Sequence, residues 1–271
     1  MHAMKKLVID TDIGTDVDDL FALSYALKNP EIDVRGISVV YGDTKVRAKI
    51  VLKLERILEK NVPIMIGAEV DKKYWCGFEH LALDEKEKRE SINNREGYLK
   101  EPFTMSNLDE EAEDYEKTNL VCIGPLTNIC NQIECERAIS NVKKVYLMGE
   151  KITSHNFIVD PDSTGIVFSQ PWKKYLITKE VSKKISFTKD ELKKFRGTRL
   201  GDFIYESAER WFNFYKNCDD TAVMYDALAV SAAADEGYVK FKKANNVVVD
   251  VFVSYDVDLR FKDKLRETIF K

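Results

Sequence analysis

Short apolar runs alternate along this chain with longer stretches of helical period, and that alternation leaves few folds open. Leu7-Val8-Ile9, Val34 to Val40 and Val62 to Gly67 read as strands, with helices expected over 20–27 and from Thr44 through Lys60. Ile50, Val51, Leu54, Ile57 and Leu58 recur at three- and four-residue spacing, and Asn29-Pro30 stops the first helix. Strands that are apolar throughout, separated by helices, are buried on both faces, which is the habit of a parallel sheet. The pattern resumes at Asn119–Ile123, Val142–Met148, Trp172–Thr178 and Val247–Val253, and Asp256–Phe261 is expected to pair near the C-terminus. Lys-rich helical segments fill the interval through Asn217, and their lysines read as a solvated face. The fold class predicted is α/β, an open, mostly parallel sheet with helices on both faces. No repeat or low-complexity linker divides the chain, so one domain over 1–271 is expected. A charge-dense stretch within 69–117 reads as a solvated insertion.

Between the first strand and first helix lies Asp10-Thr11-Asp12-Ile13-Gly14-Thr15-Asp16-Val17-Asp18-Asp19. Asp10 and Asp12 share a face if the strand period of two runs through them. Asp18 and Asp19 open the helix, where exposed backbone N–H groups favour carboxylates. Capping employs one or two such acids, not five. Like charges this close repel one another, and a hard divalent cation with oxygen ligands relieves the repulsion. The competing reading is a solvated acidic turn. Ligands in doubly wound sheets sit beyond the carboxyl ends of the strands, and Asp10, Asp12 and Asp43 occupy such ends.

Composition narrows the partner. With 42 basic and 46 acidic residues the net charge is −4, which argues against nucleic acid and for a small molecule. No apolar run approaches the ~18 residues of a membrane span. Met1 to Lys5 leads straight into strand residues, leaving no room for a signal peptide, so a cytoplasmic protein is expected. The five cysteines are scattered without metal-knuckle spacing and read as reduced thiols.

Asp10-Thr11-Asp12-x-Gly14, followed by paired Asp18-Asp19 and an apolar helix, resembles the N-terminal signature of the nucleoside hydrolases. These are calcium-dependent enzymes that cleave the N-glycosidic bond of ribonucleosides on a Rossmann-like fold. The commonest family form has Pro where Ile13 stands and fewer residues before the paired acids. Gly124-Pro125-Leu126-Thr127-Asn128 is good helix-start chemistry in itself, with Thr or Asn as N-cap. It also resembles the family's Gly-Leu-Thr-Asn segment, which makes Ile123 the residue lending a backbone carbonyl to calcium. Met148-Gly149 resembles a family pair after this strand. Asn156, four residues ahead of Asp160-Pro161, falls at the sugar-binding asparagine, and Ser154 stands where the family has glutamate. Asp226 in Asp-x-Leu-Ala-Val matches the last calcium ligand, though it could simply cap an Ala-rich helix. Tyr225 replaces the histidine that supports protonation of the leaving base. Near the family's base-binding mouth the His-Gly pair has become Cys76-Gly77, with His80 a candidate substitute. Trp211, Phe212, Phe214 and Tyr215 line the pocket or pack the core.

The resemblance spans about residues 5–235. It implies Ca²⁺ held by Asp12, Asp19, the Ile123 carbonyl and Asp226, with Asp10 supporting from behind. Asp18 accepts the proton of the attacking water. Asp43, Met148, Ser154, Asn156 and His80 are candidate substrate contacts, Tyr225 is the weak candidate acid, and a homodimer or homotetramer is expected. Two other readings stay open. One is a phosphatase with an Asp nucleophile, suggested by Asp10-x-Asp12 after a strand, although Gly14 departs from its motif. The other is a nucleoside- or ribose-binding protein that kept calcium and lost turnover, suggested by Ser154 and Tyr225.

Overall fold

A computed structural model describes residues 4–70, 82–83, 86–87, 118–133, 142–215, 221–245 and 249–271. Strand β1 (Lys5–Thr11) leads to α1 (Asp18–Lys28), β2 (Ile32–Val39) to α2 (Thr44–Leu58), then β3 (Ile64–Ile66). Next come β4 (Thr118–Cys122), α3 (Thr127–Ile133), β5 (Val142–Met148), α4 (His155–Ile158), α5 (Pro161–Ser169) and β6 (Lys173–Ile177). After these lie α6 (Lys179–Ser182), β7 (Ser186–Thr188), α7 (Lys189–Lys193), α8 (Arg199–Phe214) and β8 (Thr221–Val223). The chain closes with α9 (Tyr225–Ala233), β9 (Val239–Lys243), β10 (Val251–Val257) and α10 (Arg260–Phe270).

Eight strands form one sheet in the order β3-β2-β1-β4-β5-β6-β10-β9, parallel except for the β10/β9 pair at one edge. The chain winds outward from β1 to β3 on one side and from β4 to β6 on the other. Connections leaving β1 and β4 therefore diverge, and a crevice opens beyond their carboxyl ends. Both sheet faces are covered, as the apolar strands require. Leu7, Ile9, Val121 and Tyr146 belong to the core containing α1 and α9. Val8, Leu120, Cys122, Val145 and Leu147 point the other way, toward Leu126, just ahead of α3, and Ile129 and Val167 of α3 and α5. That is the strand period of two.

α1 is buried from Asp18 through Leu27 and α9 from Asp226 through Ala233, and the two helices pack together. A helix enclosed on all sides must be apolar on all sides, so carboxylates inside either one stand out. Both helices bring theirs to the first turn.

The C-terminus differs from expectation. β10 runs to Val257 and pairs with β9, an unanticipated strand, and the chain turns helical from Arg260. Phe261, Leu265 and Ile269 are buried at four-residue spacing, which is helical rather than strand period. β9 was obscured because Lys240, Lys242 and Lys243 give it the charged composition of a protected sheet edge. The Lys-rich interval is likewise not all helix, since β7 interrupts it and pairs with β8. His80, its neighbours from Tyr74 and nearly all of the charged stretch through residue 117 lie outside the described residues. Among the described residues Cys122 and Cys130 are free thiols, and no helix is long and apolar enough to cross a membrane.

Candidate active site

Asp10 lies in β1 in register with Ser38 of β2 and Cys122 of β4, so it sits at the crevice and is fully buried. Its Oδ1 accepts from the Ser38 hydroxyl and, at 2.8 Å, from Asn128 Nδ2. Oδ2 is buried with no hydrogen-bond partner among the described residues. Burial pushes the Asp10 carboxyl up to about 7, with Ser38 and Asn128 opposing the rise and Asp12 adding to it. Asn128 does more than start a helix. It also donates to the Val39 carbonyl at 3.1 Å and accepts from Ala68 N–H at 2.8 Å, fastening β1, β2 and the loop after β3. Gly67 is obligatory there, because a Cβ would lie 2.1 Å from Asn128 Oδ1.

The acidic loop turns at Gly14, whose φ of +114° suits glycine. Thr11 Oγ1 accepts from Ile13 N–H at 3.1 Å and donates to Asp19 Oδ1 at 2.5 Å, tying the strand end to the helix start. Asp16 accepts from its own neighbour, Val17 N–H, at 2.9 Å.

Asp18, Asp19 and Asp226 converge, each offering a carboxylate oxygen within 4.8 Å of the others. Two oxygens on one Ca²⁺ at about 2.3–2.6 Å can be at most about 5 Å apart, so the spacing suits a single ion. All three carboxylates are buried. Burial is the main cause that raises each far above the ordinary carboxylate range, and mutual repulsion raises them further. Asp12, buried in the same loop, adds to the repulsion felt by all three. A cluster of this kind is tolerable when protons or a cation neutralise it. Its donors are all hard oxygens, so the cluster could hold a divalent metal ion of that preference. The converging set contains Asp18 rather than Asp12.

Around this centre the other expected residues take definite places. Ile123 follows β4, and its carbonyl accepts from Asn156 Nδ2 at 3.1 Å; the same amide reaches the Met148 carbonyl at 3.3 Å. Asn156 therefore joins the ends of β4 and β5. Ser154 Oγ accepts from the amides of Glu150 and Lys151 at 3.0 and 3.1 Å, so it staples its own loop and keeps only its hydrogen to offer a ligand. Asp43 is exposed and caps α2 by accepting from Val46 N–H at 3.0 Å. Tyr225 opens α9, half-buried; burial and then Asp18, Asp16 and Asp226 push its phenol up to about 12. Of the aromatic run on α8, Phe212 enters the core and Phe214 and Tyr215 are exposed. Trp211 lines a recess with Ser207 and loop residues Ile13 to Val17.

Thr11, Ser38 and Arg47 are parts of the site that motif reading passed over. Ser38 and Thr11 carry no local signal. Arg47 does carry one, because it falls with Ile50, Val51 and Leu54 on the apolar stripe of α2, where a cation needs an explanation.

The family model described as inosine-uridine preferring nucleoside hydrolase matches residues 7–261. A probable uridine nucleosidase 1 of Oryza sativa subsp. japonica is 23% identical over 88% of this chain and 79% of its own length. The non-specific ribonucleoside hydrolase RihC of Salmonella enteritidis PT4 is 26% identical over 80% of this chain and 74% of its own. Among solved structures, a purine-preferring ribonucleoside hydrolase from Gardnerella vaginalis superposes with a TM-score of 0.78 at 22% identity, covering 98% of both chains.

Proposed function

The chain belongs to the inosine-uridine preferring nucleoside hydrolase family, and from that premise we propose that it hydrolyses the N-glycosidic bond of ribonucleosides in a Ca²⁺-dependent reaction. The observation carrying the proposal is the convergence of Asp18, Asp19 and Asp226 from two helix starts beside the sheet's crevice. Asp12, Asp19, Asp226 and the Ile123 carbonyl would hold the ion, with Asp10 backing them from β1. When bound, Ca²⁺ supplies positive charge that neutralises the carboxylates, anchors sugar hydroxyls and acidifies water.

The residues divide the remaining work. Asp18 takes one proton of the attacking water as its oxygen bonds to C1′ of the ribose. The C1′–N bond breaks, its electron pair leaves with the base, and the buried carboxylates favour the positive charge developing on the sugar. Asn156 and Met148 border the ribose and Asp43 and Ser154 lie at its rim; His80, outside the described residues, is kept as a candidate substrate contact on the resemblance alone. The departing base needs a proton or a substitute for one. A phenol ordinarily titrates at ~10, and burial raises this one further, which makes it a poor acid at neutral pH, so Tyr225 orients the base more than it protonates it, and substrates with good leaving groups react fastest. The enzyme works as a cytoplasmic homo-oligomer of single-domain subunits.

A second assignment exchanges Asp12 and Asp18, and it is favoured by Asp18 being the third member of the converging set. Calorimetric Ca²⁺ titration of Asp12→Asn and Asp18→Asn, with turnover measured on saturated protein, decides between them. In the first assignment Asp18→Asn binds Ca²⁺ normally and loses at least ~10²-fold in kcat, whereas Asp12→Asn loses affinity. The opposite pattern exchanges the roles. Unaltered affinity and kcat in both would remove these carboxylates from the site.

A further inference from the structure

Arg47 is fully buried, yet it stands beneath the acidic loop after β1 rather than in an ion pair at the surface. Its Nε donates to the Tyr41 carbonyl at 2.6 Å. One terminal nitrogen donates to the backbone carbonyls of both Asp12 and Ile13, the latter at 2.8 Å, and the other reaches Thr15 Oγ1 at 3.1 Å. The guanidinium carbon also lies 5.9 Å from the centre of the Tyr41 ring. Tyr41 has a φ of +70°, an uncommon conformation for a bulky residue, and it is held there by this bond and by Tyr41 N–H donating to Ala68 O at 2.8 Å. One side chain thus grips the loop after β1 and the loop after β2.

We infer that Arg47 is a positioning residue for the metal centre, clamping the acidic loop so that its carboxylates converge before any ion arrives. Two successive carbonyls aimed at one rigid fork fix the peptide planes on both sides of Ile13. Those planes set the direction in which Asp12 projects, and the Thr15 contact carries the constraint past the flexible turn at Gly14. The same guanidinium is a permanent positive charge among the carboxylates, and its field opposes the rise at Asp19. Arginine suits the post because its fork is planar, charged at every working pH and pre-organised for several acceptors at once. A lysine keeps the charge and loses the fork. Residues that orient ligands without touching the ion typically change metal affinity by about 10–100-fold when removed.

The inference rests on reading the carboxylate cluster as a metal site, and the test separates the two. Ca²⁺ is titrated calorimetrically into the wild-type protein, Arg47→Met and Arg47→Lys, and each metal-free protein is melted in parallel. A wild-type protein that binds no Ca²⁺ overturns the metal site itself and this inference with it. With wild-type binding established, Arg47→Met is expected to raise the Kd at least tenfold, and Arg47→Lys to fall between. A purely structural arginine would lower the metal-free melting temperature and leave the Kd within twofold of wild type, which would overturn the inference. Should Arg47→Met fail to fold, Arg47→Lys decides alone: a several-fold weaker Kd supports the clamp, and an unchanged one refutes it.

Discussion

Asp12 and Asp18 lie at the two ends of one loop, and their identity as acids says nothing about which holds the ion and which takes the proton. Asp10 poses a simpler question. Its Oδ1 is satisfied by Asn128 and Ser38, neither near it in sequence. Asn128→Ala therefore removes one of the two donors to a buried carboxylate, at about 1–3 kcal/mol for the lost partner, and is expected to lower the melting temperature and weaken Ca²⁺ binding together. A loss of stability with unchanged affinity would confine Asn128 to the scaffold. The acids themselves were legible, because five of them follow a strand directly. Their partners were not, since Ser38, Asn128 and Arg47 reach the site only through sheet order and helix docking. Glu55 gives a pH test far from this chemistry. Burial pushes it up to about 7, although Val62 N–H donates to it at 2.9 Å and opposes the rise. A raised carboxylate keeps its proton in the folded state between the ordinary value near 4.5 and about 7, after the unfolded chain has lost it. Stability contributed at this position must then fall as pH rises across that window. Glu55→Gln is expected to gain in melting temperature on wild type at pH 8 and to gain less at pH 5. Equal shifts at both values would contradict the assignment.

The elements that matter most are α1 and α9, which bring Asp18, Asp19 and Asp226 together at one end and are latched at the other. Glu236, just past α9, accepts from Tyr25 OH at 2.6 Å, from Asn29 Nδ2 at 2.7 Å and from Ser231 Oγ at 2.6 Å. Tyr25 and Asn29 belong to the far end of α1, so this carboxylate fixes how the two helices lie along each other. Glu236→Ala leaves several buried polar groups without a partner, at about 1–3 kcal/mol each. Differential melting should show an equal drop with and without Ca²⁺, because the latch is at the opposite pole from the ion. A drop confined to the Ca²⁺-bound form would show that the helices shift at the metal end instead. Strong periodic elements were readable in the sequence: β1 to β6, α1, α2 and the start of α5 at Pro161 fall within a few residues of expectation. β7, only three residues long, and β9, rich in lysine, were not. β7 is a strand only through β8, more than thirty residues on, and β9 through its antiparallel neighbour β10, rather than by their own composition.

At the scale of the molecule, eight strands and their crossovers serve to place two helix starts and two strand ends around one small volume. The sheet order could be foreseen only as a class, because parallel strands announce their burial but not their neighbours. The order observed puts β1 beside β4, and that adjacency brings Ile123 to the acidic loop: its N–H donates to the Asp10 carbonyl at 2.8 Å. The central claim is that this assembly hydrolyses ribonucleosides with Ca²⁺. It is tested most directly by measuring free ribose from inosine, uridine, cytidine and a nitrophenyl riboside, with Ca²⁺ and after chelation. Calcium-dependent release is expected, fastest from the nitrophenyl riboside, whose leaving group needs no acid. Absence of ribose from every substrate, by a protein shown to bind Ca²⁺, would contradict the claim and leave a nucleoside-binding protein.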